Sequence, residues 1–296
     1  MTDTVAQPKT GAERIAKVRQ RSVKRSKLIV DIVSYVILIF GSLLMLMPLV
    51  WMFSSSLKVD QFHVTGSKLF DAWHFSNYAT IFKQLDLVEG FKNSVIVVVP
   101  SVLIGSYVSG LAAYAFAKIR FKFKNVLFLL LLATVMIPFP VIMIPQYYIF
   151  TDLDWTDTLL PLIVPKVLGN IMMIFFVRQY LAGVPDSIIE SGRIDGAGHF
   201  RIFNILILPA IMPALAAQLI LWFMGIWNDY LAPYMFSSGS PTLPVIIASL
   251  ISYTDTKSET HLNMAASLVS MLPILVVFAV FQRQIIDSVV LSGSKE

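Results

Sequence analysis

Cysteine is missing from the chain altogether, which removes disulfides, thiolate metal sites and cysteine nucleophiles together. Histidine is nearly as scarce. His63, His74, His199 and His261 are scattered, with no pair four residues apart and no HExxH, so the spacing of a helical zinc site is not there. Charge is in short supply too: 14% of the residues are Asp, Glu, Lys or Arg, where soluble domains carry about 25%. A soluble chain of 296 residues could bury a large core, but it would still need a polar exterior that this composition cannot supply.

What the chain has instead is apolar sequence. Hydrophobic residues make up 56% and the mean hydropathy is +0.74, and the apolar runs reach the roughly 20 residues that cross a bilayer. They predict six spans, at about 30–53, 93–117, 126–149, 159–177, 206–227 and 264–285. Helices are expected, because a spanning segment must satisfy its backbone internally and the alternation of a barrel strand is absent. Every run contains proline: Pro48; Pro100; Pro138, Pro140 and Pro145; Pro161 and Pro165; Pro209 and Pro213; Pro273. Each interior proline removes a backbone hydrogen bond and invites a kink. The fold class is therefore an all-α membrane protein of six transmembrane helices.

Basic residues orient it. Lys9, Arg14, Lys17, Arg19, Arg21, Lys24, Arg25 and Lys27 precede the first span, and Lys118, Arg120, Lys122 and Lys124 fill the loop after the second. With Arg178, Arg193, Arg201, Arg283 and Lys295, one side holds 17 of the 23 basic residues. The other holds Lys58, Lys68, Lys83, Lys92 and Lys257. The richer side is expected to be cytoplasmic, with both termini on it. The net charge of +5 then reads as a topology signal, and no nucleic-acid surface is expected. The first 28 residues are polar throughout, so the first apolar run should remain as a span rather than serve as a cleaved signal. The organisation is a basic cytoplasmic segment 1–29, a six-helix transmembrane domain 30–285 with a cytoplasmic loop at 178–205, and a cytoplasmic tail 286–296. The outer segment 54–92, with Phe62, Phe70, Trp73, Phe75, Tyr78 and Phe82, should pack a small cap or lie at the membrane interface.

One polar stretch breaks the apolar pattern: "IIESGRIDGAGHF", 188–200. Ser187-Ile188-Ile189-Glu190 fits a capping box, in which the serine takes a backbone N–H and Glu190 reaches back to the cap. Asp195-Gly196 should end that helix, since glycine accepts the left-handed conformation that closes one. A second amphipathic helix would carry Phe200, Phe203 and Leu206 on one side, and Leu208-Pro209 would start the next span. On spacing alone this describes a locally capped turn, with Glu190 satisfied by its own helix.

A different reading comes from resemblance. Glu190-Ser191-Gly192, Asp195-Gly196-Ala197 and Ile207-Leu208-Pro209 resemble the "EAA" loop of ABC importer permeases, with Ser191 and Gly192 where alanines are usual. "FKNSVIVV" (91–98), "YAFAKIRFKFKN" (114–125), "MIPQYYIF" (143–150), "WNDYLAPYMF" (227–236) and "LSGSKE" (291–296) extend the likeness over nearly the whole chain from about residue 30. They resemble the sugar-importing, maltose-type branch of these permeases, and within it the second of two membrane subunits. The resemblance implies a type I importer permease fold. It also implies a coupling helix, carried by Glu190, Ser191, Gly192, Asp195, Gly196 and Ala197, that inserts into a cleft on a cytoplasmic ATPase. The partners it implies are a second homologous permease subunit, two cytoplasmic ABC ATPase subunits, an extracellular or periplasmic solute-binding protein and membrane lipid. No cofactor is expected. "LSGS" (291–294) looks like the start of an ABC ATPase signature, but it lacks a nucleotide domain around it. The chain also has no GxxxxGK[ST] phosphate loop, so ATP is expected to be hydrolysed by the partners.

Polar groups within spans are the natural pathway candidates. Lys166 and Asn170 are expected on one face of span four, with no in-span acid for Lys166. Gln218, Trp222 and Trp227 fall in or at the end of span five, and aromatic faces with amides suit sugars. Each has a plain alternative: Lys166 snorkelling, Trp227 in an interface belt, Gln218 bridging helices. A membrane enzyme would show clustered acids, histidines or a nucleophile within the spans, and a secondary transporter would favour coupling acids and internal repeats. None of these is apparent in the sequence. Sugar, oligosaccharide and glycerol-phosphate cargo all suit the branch.

Overall fold

The computed structural model describes the backbone of residues 11–59, 69–70, 73–253 and 259–293, and side chains within 27–250 and 259–282 of that set. The described residues are helical with no strand. The side chains of the basic segment before Lys27, Phe62, and those of the tail 286–296 lie outside the described residues. In chain order the helices are α1 (Gly11–Ser56), α2 (Ser76–Gln84), α3 (Leu87–Lys118), α4 (Lys124–Thr134), α5 (Phe139–Asp152), α6 (Leu160–Val167) and α7 (Ile171–Ala182). There follow α8 (Ser187–Ile194), α9 (His199–Ile202), α10 (Leu208–Trp227), α11 (Leu231–Phe236), α12 (Leu243–Tyr253) and α13 (Thr260–Gly293).

Five elements are long and apolar enough to cross a membrane: Lys27–Ser56, Leu87–Lys118, Leu160–Ala182, His199–Trp227 and Thr260–Gln282. The sixth expected span is a pair, α4 and α5, bent by 96°. Its cause is in the sequence. Pro138 sits in the extended region with ψ 139°, a proline disfavours helix in the residue before it, and Pro140 falls in the first turn of α5, where its missing N–H costs nothing.

The bundle is organised around α3. This helix packs against α6, α7, α10 and α12 and also meets α2 and α4. Its buried face is built from small residues about a turn apart: Gly90 and Ser94, then Ser101, Gly105, Ser109 and Ala113. Small side chains let backbones approach closely where no hydrophobic force separates helix from lipid. At Gly105 the approach is tightest. A Cβ there would run into the Trp222 indole of α10 and would lie 2.5 Å from the Lys166 carbonyl of α6. Near its start, Asn93 Nδ2 donates to Pro241 O at 3.0 Å and Ser94 Oγ accepts from Leu243 N at 2.9 Å, so α3 also fixes the start of α12.

Two apolar clusters flank this hub. One gathers Leu87, Val98, Leu162, Trp227, Phe236, Leu243 and Ala265; the other gathers Tyr114, Phe128, Met173, Val177, Ile189, Phe203 and Ile211. Helix α1 stands apart: the apolar stretch of its membrane-length part has no buried residue in the isolated chain, and its main partner is α13. At its end, Asn77 Nδ2 of α2 donates to both Ser56 O and Lys58 O at 2.8 Å. The described part of the 54–92 segment therefore caps one end of the bundle.

At that same end two loops are clasped through Asp157, whose φ is +63°. Its Oδ1 accepts from Ser238 Oγ at 2.6 Å and Gly239 N at 3.1 Å, while its N–H reaches Phe236 O at 2.9 Å. The Ser238 hydroxyl and then the Gly239 amide hold the Asp157 carboxyl below the usual carboxylate range. A carboxylate with a lowered folded-state pKa contributes stability above its unfolded value and loses it as pH falls through the folded one.

Two outcomes follow from this packing. Gly105→Ala should destabilise the purified protein by about 1–3 kcal/mol through overpacking, while Gly225→Ala on α10, where a Cβ meets nothing within 4 Å, should be neutral or slightly stabilising. Thermal unfolding in detergent checks both. Asp157→Asn should lower the melting temperature at neutral pH, and the gap to the parent should close as pH is taken below the ordinary carboxylate range.

Candidate coupling site and pathway

The polar stretch forms a short helix, α8, laid across one end of the bundle. Ile189 and Gly192 face inward and are buried, while Glu190, Ser191, Arg193, Ile194 and Asp195 face out. Ile194 is 86% exposed although it is fully apolar. Gly192 is the contact point: a Cβ there would sit 3.0 Å from both Ile202 Cγ1 and Leu206 Cδ1, so glycine lets α8 lie against the start of span five.

The C-terminus of α8 closes as expected. Gly196 is left-handed, with φ +75°. The Ala197 N–H reaches Gly192 O at 2.9 Å and the Gly196 N–H reaches Arg193 O at 3.0 Å, which is the paired pattern of a Schellman motif. The N-terminus differs from the capping box. Asp186, with helical backbone angles, is the cap and makes no capping bond, and Ser187 is already inside the helix. The reason is a competing partner: Lys118 Nζ, at the end of α3, donates to Asp186 Oδ1 and to Val184 O, each at 2.6 Å. That hydrogen bond and the Lys118 charge hold the Asp186 carboxyl below the usual range. Glu190, freed from a capping role, lines a polar cavity of about 370 Å³ with Lys118, Arg120, Asp186, Arg193 and His199.

The expected second helix is also different. α9 runs directly into span five through a π turn, Phe203–Ile207, so the span begins at His199 rather than near 206. The Leu208 N–H reaches back five residues to Phe203 O, immediately before Pro209, which has no N–H to give. Phe203 is buried, whereas Phe200 stays exposed.

Around Gly105 the structure collects part of the pathway set. Lys166 and Trp222 both meet Gly105. Lys166 and Asn170 do not share a helical face, because span four breaks between α6 and α7 with Gly169 at φ +117°. Asn170 instead caps α7, accepting from Met173 N at 2.9 Å, while its own N–H donates to the buried Ser109 Oγ at 2.7 Å. Lys166 does have an acid: its Nζ lies 3.6 Å from Asp229 Oδ2, both about three-quarters buried. Asp229 lies just beyond the apolar run of span five, so scanning within spans missed it. Gln218 is half-buried on α10. Trp227 is not brought to this group. It is 2% exposed, stacks on Phe223 and gives its indole N–H to Ser270 O at 3.0 Å.

Comparison with known proteins places this architecture. Residues 101–290 match the family described as "binding-protein-dependent transport system inner membrane component". An arabinooligosaccharides transport system permease protein of Halalkalibacterium halodurans is 33% identical, covering 74% of this chain and 78% of that one. A lactose transport system permease protein of Rhizobium radiobacter is 28% identical over 87% and 94%. An sn-glycerol-3-phosphate transport system permease protein of Yersinia pestis is 31% identical over 88% and 96%. In fold, the chain matches a chain from a bacterial ABC transporter that imports alginate, with a TM-score of 0.70 and 24% identity over 88% of this chain and 97% of that one. With its membrane-length helices and this match over most of its length, the chain belongs to the family of binding-protein-dependent transport system inner membrane components.

Proposed function

We infer that this chain is the translocation subunit of an ATP-driven importer for a neutral sugar or oligosaccharide, with both termini cytoplasmic. It works with a second permease subunit, two ATPase subunits and an external solute-binding protein. ATP is hydrolysed by the ATPase subunits. Helix α8 docks into a cleft on one of them, with Glu190, Ser191 and Asp195 at the contact, Gly192 holding α8 to span five, and Gly196 and Ala197 setting its end.

The observation that carries this reading is α8 itself. Its outward face is polar apart from the nearly bare Ile194, its inward face is locked to span five through Gly192, and its C-terminus is closed by a full Schellman motif. A rigid, outward-facing element bonded to the transmembrane helices is what a pull from ATPase closure needs. Support for sugar cargo comes from the relatives named for arabinooligosaccharides and lactose. The relative named for glycerol-3-phosphate keeps a phosphate ester as the second reading. Against it, the Lys166 charge is matched by Asp229, so Lys166 is not a free cation for an anion. Trp222, Gln218, Lys166 and Asn170 are the pathway candidates here, and Trp227 serves packing.

The absence of native cysteine makes the test clean. Ser191→Cys, in the assembled transporter, should resist an impermeant thiol reagent added from outside. It should crosslink, in a way that changes with ATP, to a cysteine in the ATPase cleft. Labelling from outside would invert the topology, and protection without a crosslink would return α8 to a plain capped turn. Gly196→Pro should abolish ATP-driven uptake while leaving the chain in the membrane. For cargo, titration of the cognate binding protein should show affinity for neutral saccharides and none for glycerol 3-phosphate; the reverse would favour the phosphate ester.

A further inference from the structure

Between α3 and α8 lies a chain of side chains that the coupling set does not include. Tyr114 of α3 is 1% exposed, and its Oη lies 3.0 Å from His199 Nδ1. The other ring nitrogen, Nε2, lies 3.1 Å from Arg193 Nη2 in the last turn of α8. Chemistry fixes the direction. A guanidinium has donors and no acceptor, so Nε2 must accept, the neutral ring carries its proton on Nδ1, and Nδ1–H donates to the tyrosine oxygen. One imidazole thus ties the coupling helix to the central transmembrane helix.

A second tie runs parallel to it. Tyr107, two turns earlier on α3, donates from Oη to Asn204 Oδ1 at 3.0 Å, and Asn204 lies within the π turn. Phe203 packs between the two, with ring centroids 5.6 Å from Tyr107 and 5.8 Å from Tyr114. α3 therefore grips the entrance to span five on both sides of Phe203. Through His199 it reaches Arg193 as well.

We propose that Tyr114 and His199 are positioning residues for coupling: they bind α8 to α3, so that a pull on α8 moves the hub of the bundle and not span five alone. This rests on the reading of α8 as the ATPase-docking helix. Without the tie, α8 would still be joined to span five through Gly192 and, at its N-terminal cap, to the end of α3 through Lys118 and Asp186. Its C-terminal turn, which carries Arg193, would lose its hold on α3, and the π turn beside it, where the regular ladder is already shifted, would absorb the displacement.

The test uses the whole transporter, purified with its partner permease and ATPases. Spin labels are placed on Ser191→Cys of α8 and Phe121→Cys, just past the end of α3. The distance between them is measured without nucleotide and with ATP plus vanadate. The parent should give the same distance in both states, because the two helices travel together. His199→Ala and Tyr114→Phe should each make that distance nucleotide-dependent, shifting by several ångströms between states. His199→Gln, whose amide can still accept from Arg193, should shift less than His199→Ala. A merely structural role would broaden the distance equally in both states and leave the three variants unranked, which would overturn the proposal. So would a parent distance that already changes with nucleotide. The Ser191→Cys crosslink to the ATPase, run on unlabelled preparations of the same variants without the Phe121→Cys change, separates the two ideas. Its loss in the parent removes the docking reading, whereas its retention with nucleotide-independent variants removes this one.

Discussion

Close approach to α3 is the constraint on which the rest of the molecule depends. Gly90, Ser94, Ser101, Gly105, Ser109 and Ala113 give it a face with almost no side-chain bulk, and α6, α7, α10 and α12 settle against it. In a bilayer the gain from such contact is dispersion and hydrogen bonding, since lipid tails are as apolar as leucine. Several of the small residues do both kinds of work. Ser94 and Ser109 fill little space and still accept backbone N–H groups at 2.9 and 2.7 Å from α12 and the broken span four. Backbone groups at a helix break in hydrocarbon must find partners inside the protein, so the break at Gly169 is possible because Ser109 is there.

The same helix links the two proposed sites. At Gly105 it meets Lys166 and Trp222. Two and a half turns further along, Tyr114 reaches the coupling end, and Lys118 finishes the helix by holding Val184 and Asp186. The proposed pathway and the proposed coupling element are therefore neighbours of one continuous helix. A mechanical signal crossing between them has no need of a separate route.

Much of this was legible in the sequence, and the parts that were not share a cause. Long apolar runs marked the spans because bilayer thickness sets their length. Gly196 marked the end of α8 because few residues tolerate its backbone angle. The capping box failed because a local pattern cannot know that Lys118, far away in the chain, will claim Asp186. The partner of Lys166 is not legible in the spans because Asp229 lies outside any span in the sequence and beside it only in three dimensions. The face shared by Lys166 and Asn170 assumed an unbroken helix, which Gly169 does not permit. Helices α11 and α12 were not foreseen, being too short for a span and too apolar to stand out as loops. The resemblance to importer permeases, carried by scattered fragments in order, reached further than any single pattern.

The π turn at Phe203–Ile207 has a geometric consequence. A π turn is one residue of slack inserted into an α-helix, and each residue of an α-helix advances the azimuth by about 100°. Everything N-terminal to it, including α8 and its outward face, is therefore held at a bearing that an uninterrupted helix would miss by more than a quarter turn. The direction in which α8 presents its outward face is set by the count of residues between Gly192 and Pro209. A family tolerant of substitution along that stretch would be intolerant of length.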